Sequence, residues 1–505
     1  MMVQKSTCVT LRETKKERCA LNYLNNEPTP SLTERLGQYA ASDAYPFHMP
    51  GHKRRPGALG GALPEALDIT EIDGFDDLHD PEGVLAEAME RAARLYGSKK
   101  ARFLVNGSTC GILAGIHAAA PRGGTVLVAR NCHKSVYHAI ELLDLRPVYL
   151  APRLDVRSGV AGSIDPAEVE TALAAHPDAK LVVITSPTYE GVMSELPGIA
   201  LRCRRAGVPL LVDEAHGAHF GLRGGFAASA TGCADLVVQS LHKTLPSPTQ
   251  TALLHWNSDL IPFEAVEHGL DIFETSSPSY PLMAAMDHCL RLLEAEGEGL
   301  LAAWIDRMER FDRAVWGLKR LRVLGKGGDA VEFHPEFWYL DPSKIVISGR
   351  GAGLTGPALM AALRERFGLE LEMAAGDHAI AMTGLCDTDE GMERLVQALW
   401  TLEREAERAD LPPLPERRLP ERLPVPRWAA PAADCLRAQR EWLSPRQAVG
   451  RVSAEYVWAY PPGIPVLTPG EQVGEEQAGQ LEWLASCGVN LKSTSGRAGL
   501  LAVVK

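Results

Sequence analysis

FLVNGSTCGILAG, residues 103–115, reads as a short strand, a small polar turn and the start of a helix. The apolar run is continuous, as in a strand buried on both faces, and N-G-S-T has turn chemistry. The first N–H groups of the following helix lack partners within it. Together with the hydroxyls of Ser108 and Thr109 they form a ready site for phosphate, although the same residues alone also make an ordinary turn. Outward from there, TVLVA (125–129), LVVIT (181–185), LLVD (210–213) and LVVQS (236–240) repeat the buried-strand pattern, separated by helix-length amphipathic segments. Valine-rich strands alternating with helices predict an α/β fold with a mostly parallel sheet covered on both faces. Residues 84–96 are predicted as a helix, apolar at 84, 85, 88, 89, 92, 95 and 96, with Gly97 placed to stop it.

Residues 281–320 read as nearly continuous helix, suited to joining two domains. A second α/β unit follows in SKIVIS (343–348), a helix from Gly356 to Phe367, LELEM (369–373), AIAMT (379–383) and a helix across 388–405. The Pro-rich DLPPLPERRLPERLPVPRW (410–428) is expected to be extended and exposed. The expected division is a tail over 1–30, a large domain over 31–300, a small α/β domain over 301–409, a linker over 410–430 and a C-terminal domain over 431–505.

At 505 residues, 46% hydrophobic and 23% charged, the chain has the balance of a soluble protein of two or three domains. No apolar run approaches the roughly 18 residues of a membrane span, and the N-terminus lacks a signal peptide's apolar stretch, so a cytoplasmic location is expected. A net charge of −12 argues against a nucleic-acid partner. The ten cysteines are scattered singly, which fits reduced thiols better than a metal site.

Three further segments carry chemistry. ARNCHKSVYHA (129–139) follows a strand and brings His133 to its tip, where open parallel sheets bind ligands; alone, such a histidine is an ordinary surface or core residue. LLVDEAHGAHFG (210–221) ends a strand in Asp213, with His216 and His219 just after it. D-E-A-H also marks helicases, but these need a G-x-x-x-x-G-K-[ST] loop and the chain has none. His216 and His219 are not spaced i, i+4, and His48 and His52 enclose Pro50-Gly51, so no metal is expected. LVVQSLHKTLPSPTQTALLH (236–255) ends a strand in Ser240, His242 and Lys243 before a Pro-punctuated loop. A strand-end lysine is commonly a snorkelling charge. The order of phosphate turn, histidine, strand-end aspartate and strand-end lysine is nevertheless the set a pyridoxal phosphate enzyme requires. The lysine forms a Schiff base with the aldehyde, the aspartate keeps the pyridine nitrogen protonated, and the turn holds the phosphate.

PFHMPGHK (46–53), DLHDPEGVLAEA (77–88), FLVNGST, RNCHKS, SPTYEGV (186–192), DEAHGAHFG, QSLHKT and YPPGIPVLTPGE (460–471) occur in this order. With them the chain resembles the pyridoxal-phosphate-dependent ornithine/lysine/arginine decarboxylases of the aminotransferase-like fold, fold type I, in their compact bacterial form. The resemblance implies decarboxylation of a basic amino acid, with arginine favoured and agmatine as product, a role in polyamine biosynthesis, and a homodimer or larger assembly without nucleic-acid or membrane partners. It implies that Lys243 binds the cofactor, Asp213 pairs with the pyridine nitrogen, His133 stacks on the ring and His216 lies near the ring hydroxyl. Ser108, Thr109, Ser240 and His242 would hold the phosphate, and Lys243 or His242 would protonate Cα. Cys110 and Gly111 stand where the family often has a further hydroxyl. The substrate's distal cation needs an acid, for which Asp73, Asp76, Asp77, Glu190, Glu455 and Glu471 are the candidates. An aminotransferase or α-oxoamine synthase of the same fold, or a non-catalytic relative, is the competing reading. An aminotransferase would carry a carboxylate-binding arginine late in the second domain, and Arg350 and Arg364 precede that place.

Overall fold

Strands that are apolar on both faces can be buried only inside a covered sheet, and the short Val/Leu runs pair accordingly. The computed structural model describes residues 30–42, 65–222, 225–416, 419–460 and 463–505. The expected tail, apart from Pro30, and the PFHMPGHK segment with His48 and His52 lie outside the described residues. The central sheet contains β1 (Lys100–Leu104), β2 (Thr125–Ala129), β3 (Arg146–Leu150), β4 (Ala179–Thr185), β5 (Leu210–Asp213), β6 (Leu236–Ser240) and β7 (Ala252–Trp256). Their order is β1-β7-β6-β5-β4-β2-β3, and only β7 runs antiparallel to its neighbours. The C-terminal ends of β1, β2, β4, β5 and β6 therefore open onto one edge. β3 and β7 were not anticipated from the sequence. The ALLH run after the Pro-rich turn returns as β7, wedged between β1 and β6.

Helix α1 (Val84–Tyr96) has the predicted bounds and buries Val84, Leu85, Ala88, Met89, Ala92 and Tyr96. Gly97 ends it at φ +69°, a left-handed conformation that glycine adopts without strain. Helix α2 (Gly107–Ala119) lies flush on the sheet because Gly111 and Gly115 carry no side chain. A Cβ on Gly111 would sit 2.6 Å from Leu104, and one on Gly115 would sit 2.7 Å from Leu211. Helix α3 (Lys134–Leu142) follows β2, and the single turn α4 (Leu241–Thr244) follows β6. Helix α5 (Phe263–Phe273) crosses α2 at Gly269, whose backbone touches that of Ala114. This packing fixes where the N-terminus of α2 points.

Helix α6 (Tyr280–Ala314) links the large sheet to a smaller one and stops short of the expected residue 320. The smaller, antiparallel sheet has the order β10-β11-β9-β8, from β8 (Arg322–Val323), β9 (Lys344–Ser348), β10 (Met373–Ala374) and β11 (His378–Met382). Helices α7 (Gly356–Phe367) and α8 (Asp389–Arg408) belong to the same unit. LELEM gives β10 only its last residue, Met373, because Leu369 N–H still bonds to the Leu363 carbonyl and closes the end of α7. The C-terminal part has its own apolar cluster around Val457, Leu467, Leu481 and Val503, beside helix α9 (Glu475–Ser486).

The Pro-rich segment is extended, but it is not exposed throughout. Residues 419–424 are strapped to the large domain through Leu154 N–H to Glu421 O, Leu423 N–H to Pro152 O and Arg422 Nη1 to Ala151 O. Among the described residues, no helix is long and apolar enough to cross a membrane.

Gly269→Ala would place a Cβ 2.8 Å from the Ala114 carbonyl oxygen, where only backbone movement relieves the overlap. Urea unfolding is expected to show a loss of about 1–3 kcal/mol. An unchanged midpoint would mean that the two helices are not in close register.

Candidate active site

Each parallel strand delivers one or two polar side chains where it ends, and neighbouring strands place these side chains next to one another. From β6 come Ser240 and, on α4, His242 and Lys243; β5 ends in Asp213, with His216 on the following turn. β4 supplies Thr185 and the loop bearing Tyr189. The turn after β2 supplies Asn131 and His133. Beyond β7, the turn after β1 carries Ser108 and Thr109 at the start of α2.

Lys243 Nζ lies 2.9 Å from His216 Nε2 and 5.6 Å from the centre of the Tyr189 ring. Burial lowers the lysine to about 8 from its ordinary 10.5, while the Asp213 charge pulls the other way. Asp213 is buried and accepts a hydrogen bond from Ala215 N–H; burial raises its carboxyl and the Lys243 charge lowers it. His216 is kept neutral by burial and by the Lys243 and Lys344 charges, so its Nε2 accepts from the ammonium. Its ring packs on Tyr189 at 4.2 Å between centroids.

His133 is the N-cap of α3, and its Nδ1 accepts from Ser135 N–H. Burial, aided by the Lys243 charge, lowers it to about 3, so it presents an uncharged ring. His242 is also lowered by burial, and its Nδ1 donates to the Thr251 carbonyl. His219 turns away to Asp341, 3.3 Å distant, so His216 and His219 do not converge as a ligand pair.

Several buried polar atoms on this edge have no hydrogen-bond partner: Ser240 Oγ, Thr185 Oγ1 and His216 Nδ1. Unpartnered buried polar groups are costly unless a ligand meets them. The N-terminus of α2 likewise has no side-chain cap. Free N–H groups and hydroxyls for a phosphate, a buried carboxylate, a flat neutral histidine and a low-pKa lysine form a set that fits pyridoxal phosphate.

Of the acids proposed for a distal cation, Asp76 caps α1 through Gly83 and Leu85 N–H, and Asp77 accepts from His79 N–H. Glu455 and Glu471 are buried and already used, by Ser495 and Ala502 N–H and by Thr468 N–H with Arg130. Asp73 is exposed. Glu190 follows Tyr189 directly and, among the described residues, accepts only from the Thr188 hydroxyl.

Sequence reasoning missed two residues here. Glu372 lies near the Tyr189 hydroxyl and acts electrostatically on Lys243 and His242. Lys344 is buried beneath the His216 turn, with Nζ 3.0 Å from Asp341 Oδ2 and 3.3 Å from the His216 carbonyl. Nothing local marks either one, since each lies in a strand-like run of the small domain. Tyr189 had a signal in SPTYEGV.

Residues 30–358 match the family described as Orn/Lys/Arg decarboxylase, major domain, and residues 418–493 match its C-terminal domain. The chain is 36% identical over 472 residues to the uncharacterized protein YaaO of Bacillus subtilis strain 168, covering 90% of this chain and 94% of that one. It is 32% identical over 463 residues to an arginine decarboxylase of Halalkalibacterium halodurans, covering 89% and 92%. The lysine decarboxylase LdcF of Francisella novicida superimposes with a TM-score of 0.76 at 20% identity, over 97% of this chain and 83% of that one.

Removing the Asp213 charge should lower the Lys243 midpoint below about 8, because the carboxylate is what holds it up against burial. The midpoint can be read by NMR of isotopically dimethylated lysine in the cofactor-free protein. A midpoint that stays put or rises in Asp213→Asn would contradict the arrangement.

Proposed function

The chain belongs to the ornithine/lysine/arginine decarboxylase family, and from that premise we propose that its substrate is arginine and its products are agmatine and CO₂. It is a lyase that decarboxylates a basic amino acid with pyridoxal phosphate. Support for arginine over lysine comes from the relatives named arginine decarboxylase, which are 31–32% identical over most of the chain, whereas the lysine decarboxylases are 25–27% identical. The observation that carries the site assignment is Lys243 held between Asp213 and a neutral His216 at the strand edge.

When bound, pyridoxal phosphate supplies an electron-withdrawing ring that makes loss of the amino acid's carboxylate feasible. Lys243 would hold the cofactor, and Asp213 would keep a negative charge beside its ring nitrogen. Ser108, Thr109, Ser240 and the free N–H groups of α2 would take the phosphate. His133, uncharged at neutral pH, would offer a flat face to the ring and, as a neutral imidazole, is too weak an acid to protonate carbon. The same reasoning sets His242 aside as an acid, since burial leaves it neutral. Lys243 therefore holds the proton that returns to Cα, because a lysine near 8 is protonated at neutral pH yet gives up its proton far more readily than one at 10.5. Glu372, near the Tyr189 hydroxyl and acting electrostatically on Lys243, is the acid available to the distal guanidinium.

The proposal includes a homodimer. The phosphate turn at Asn106 and Thr109, the Gln250 turn beside it and Glu372 are all exposed on this chain, which suits a site completed by a second copy. It also includes work in the cytoplasm on the path to polyamines. Against an aminotransferase, Arg350 is held by Asp377 at 3.0 Å and Arg364 is paired with Glu370, so neither is free for a substrate carboxylate.

The test is mass spectrometry of products after the cofactor-loaded protein meets arginine, lysine and ornithine separately. Agmatine from arginine is expected to dominate, and Glu372→Gln should raise KM for arginine about tenfold or more with a smaller effect on kcat. Cadaverine or putrescine as the main product would overturn the choice of arginine. No amine from any tube would overturn the decarboxylase reading.

A further inference from the structure

A cavity of about 540 Å³ lies where the large sheet, the small domain, the 419–424 strap and the C-terminal part meet. Its apolar wall includes Leu154, Leu423, Ile464 and Trp483, and its acidic groups are Glu190, Asp377 and Glu476. No lysine or arginine lines it among the described residues. The Asp377 charge is offset by Arg350, but among the described residues Glu190 and Glu476 have no cationic partner. A carboxylate-lined cavity disfavours anions, and its apolar wall suits a ligand with a hydrocarbon stem.

A second, independent feature points to a ligand. His378 forms part of the wall and is 8% exposed, yet neither ring nitrogen has a hydrogen-bond partner; Nδ1 only approaches Asp377 Oδ1, at 3.4 Å. Asn131, 7% exposed, also lines the cavity, with Oδ1 unpartnered. An acceptor amide oxygen, an imidazole and two unpaired carboxylates around an apolar wall ask for several N–H donors on a short aliphatic chain.

We propose that this cavity is a second binding site, separate from the Lys243 site, for a small aliphatic dication with amino or guanidino ends. That its natural occupant is an amine of the kind the reaction releases rests on the decarboxylase reading; the site itself does not. The β10–β11 hairpin connects the two places. Its turn, Gly376 to His378, lines the cavity, and Gly376 lies so close to Trp483 that a Cβ there would be 2.0 Å from the ring. Glu372, just before β10, lies near the Tyr189 hydroxyl and acts electrostatically on Lys243. Asn131 and Ile464 likewise adjoin His133 and Gly463, which face each other across the active-site wall. A cation seated in the cavity would thus clamp the hairpin that presents Glu372.

The test is calorimetric titration of the cofactor-loaded protein with agmatine and, separately, putrescine. Two sites per chain are expected for at least one of them. Glu476→Gln, at the exposed start of α9, should weaken one site at least tenfold. Gln480→Trp should fill the cavity and abolish that same site. Both variants should leave the other site and the initial decarboxylation rate unchanged. A single site per chain, or two sites unmoved in Glu476→Gln, would overturn the inference. Should Gln480→Trp lose both sites through misfolding, Glu476→Gln decides alone. If no amine product ever forms but one site still disappears in these variants, the decarboxylase reading fails and the cavity site stands.

Discussion

The site depends on Lys243 being held, largely dehydrated, within reach of a buried carboxylate and a histidine that cannot share its charge. Burial alone would drive the lysine to neutrality; Asp213 limits the shift and leaves it near 8. His216 accepts from Nζ because the same burial, with Lys344 behind it, keeps its ring neutral. Parallel strand ends make this triangle possible. β5 and β6 are adjacent and end at the same edge, so Asp213 and α4 leave the sheet side by side. Helix α2, resting on Gly111 and Gly115, brings its free N–H groups to that edge.

A second layer of buried charge holds the first in place. Lys344 and Asp341, both fully buried, pair at 3.0 Å, with His219 and Ser343 completing the carboxylate's bonds. Lys344 also donates to the His216 carbonyl, so the small domain grips the active-site turn of the large one. Breaking such a pair strands a buried charge, which costs far more than the pair contributes. Glu214, beside Asp213, is held apart from the chemistry by Ser229, Ala230 N–H and Gln239, and burial raises it to about 7. Adjacent acids thus take different roles: Asp213 faces Lys243, and Glu214 anchors the loop.

The strands that bear the site were legible because each combines an apolar run with an abrupt polar end, and α1 because Gly97 marks its end. Two kinds of feature were not. β7 is the antiparallel return of a segment whose partners β1 and β6 lie on either side of it, a pairing no local pattern encodes. The strap over 419–424 reads as exposed because proline-rich composition says nothing about what it lies against. The order of phosphate turn, histidine, strand-end aspartate and strand-end lysine pointed to the cofactor, and the roles of single residues came from the family resemblance. Glu372 and Lys344 come from the small domain, and only tertiary packing brings them to the site. The same packing removed most of the acids considered for the distal cation, since Asp76, Asp77, Glu455 and Glu471 are occupied by nearby backbone N–H groups.

The central claim is that Lys243, and no other buried lysine, carries the cofactor. Borohydride reduction of the cofactor-loaded protein, followed by proteolysis and peptide mapping by mass spectrometry, tests it directly. The account predicts a single modified peptide, with the pyridoxyl group on Lys243. Modification of Lys344, the other buried lysine at the site, or no retained pyridoxyl group would contradict it.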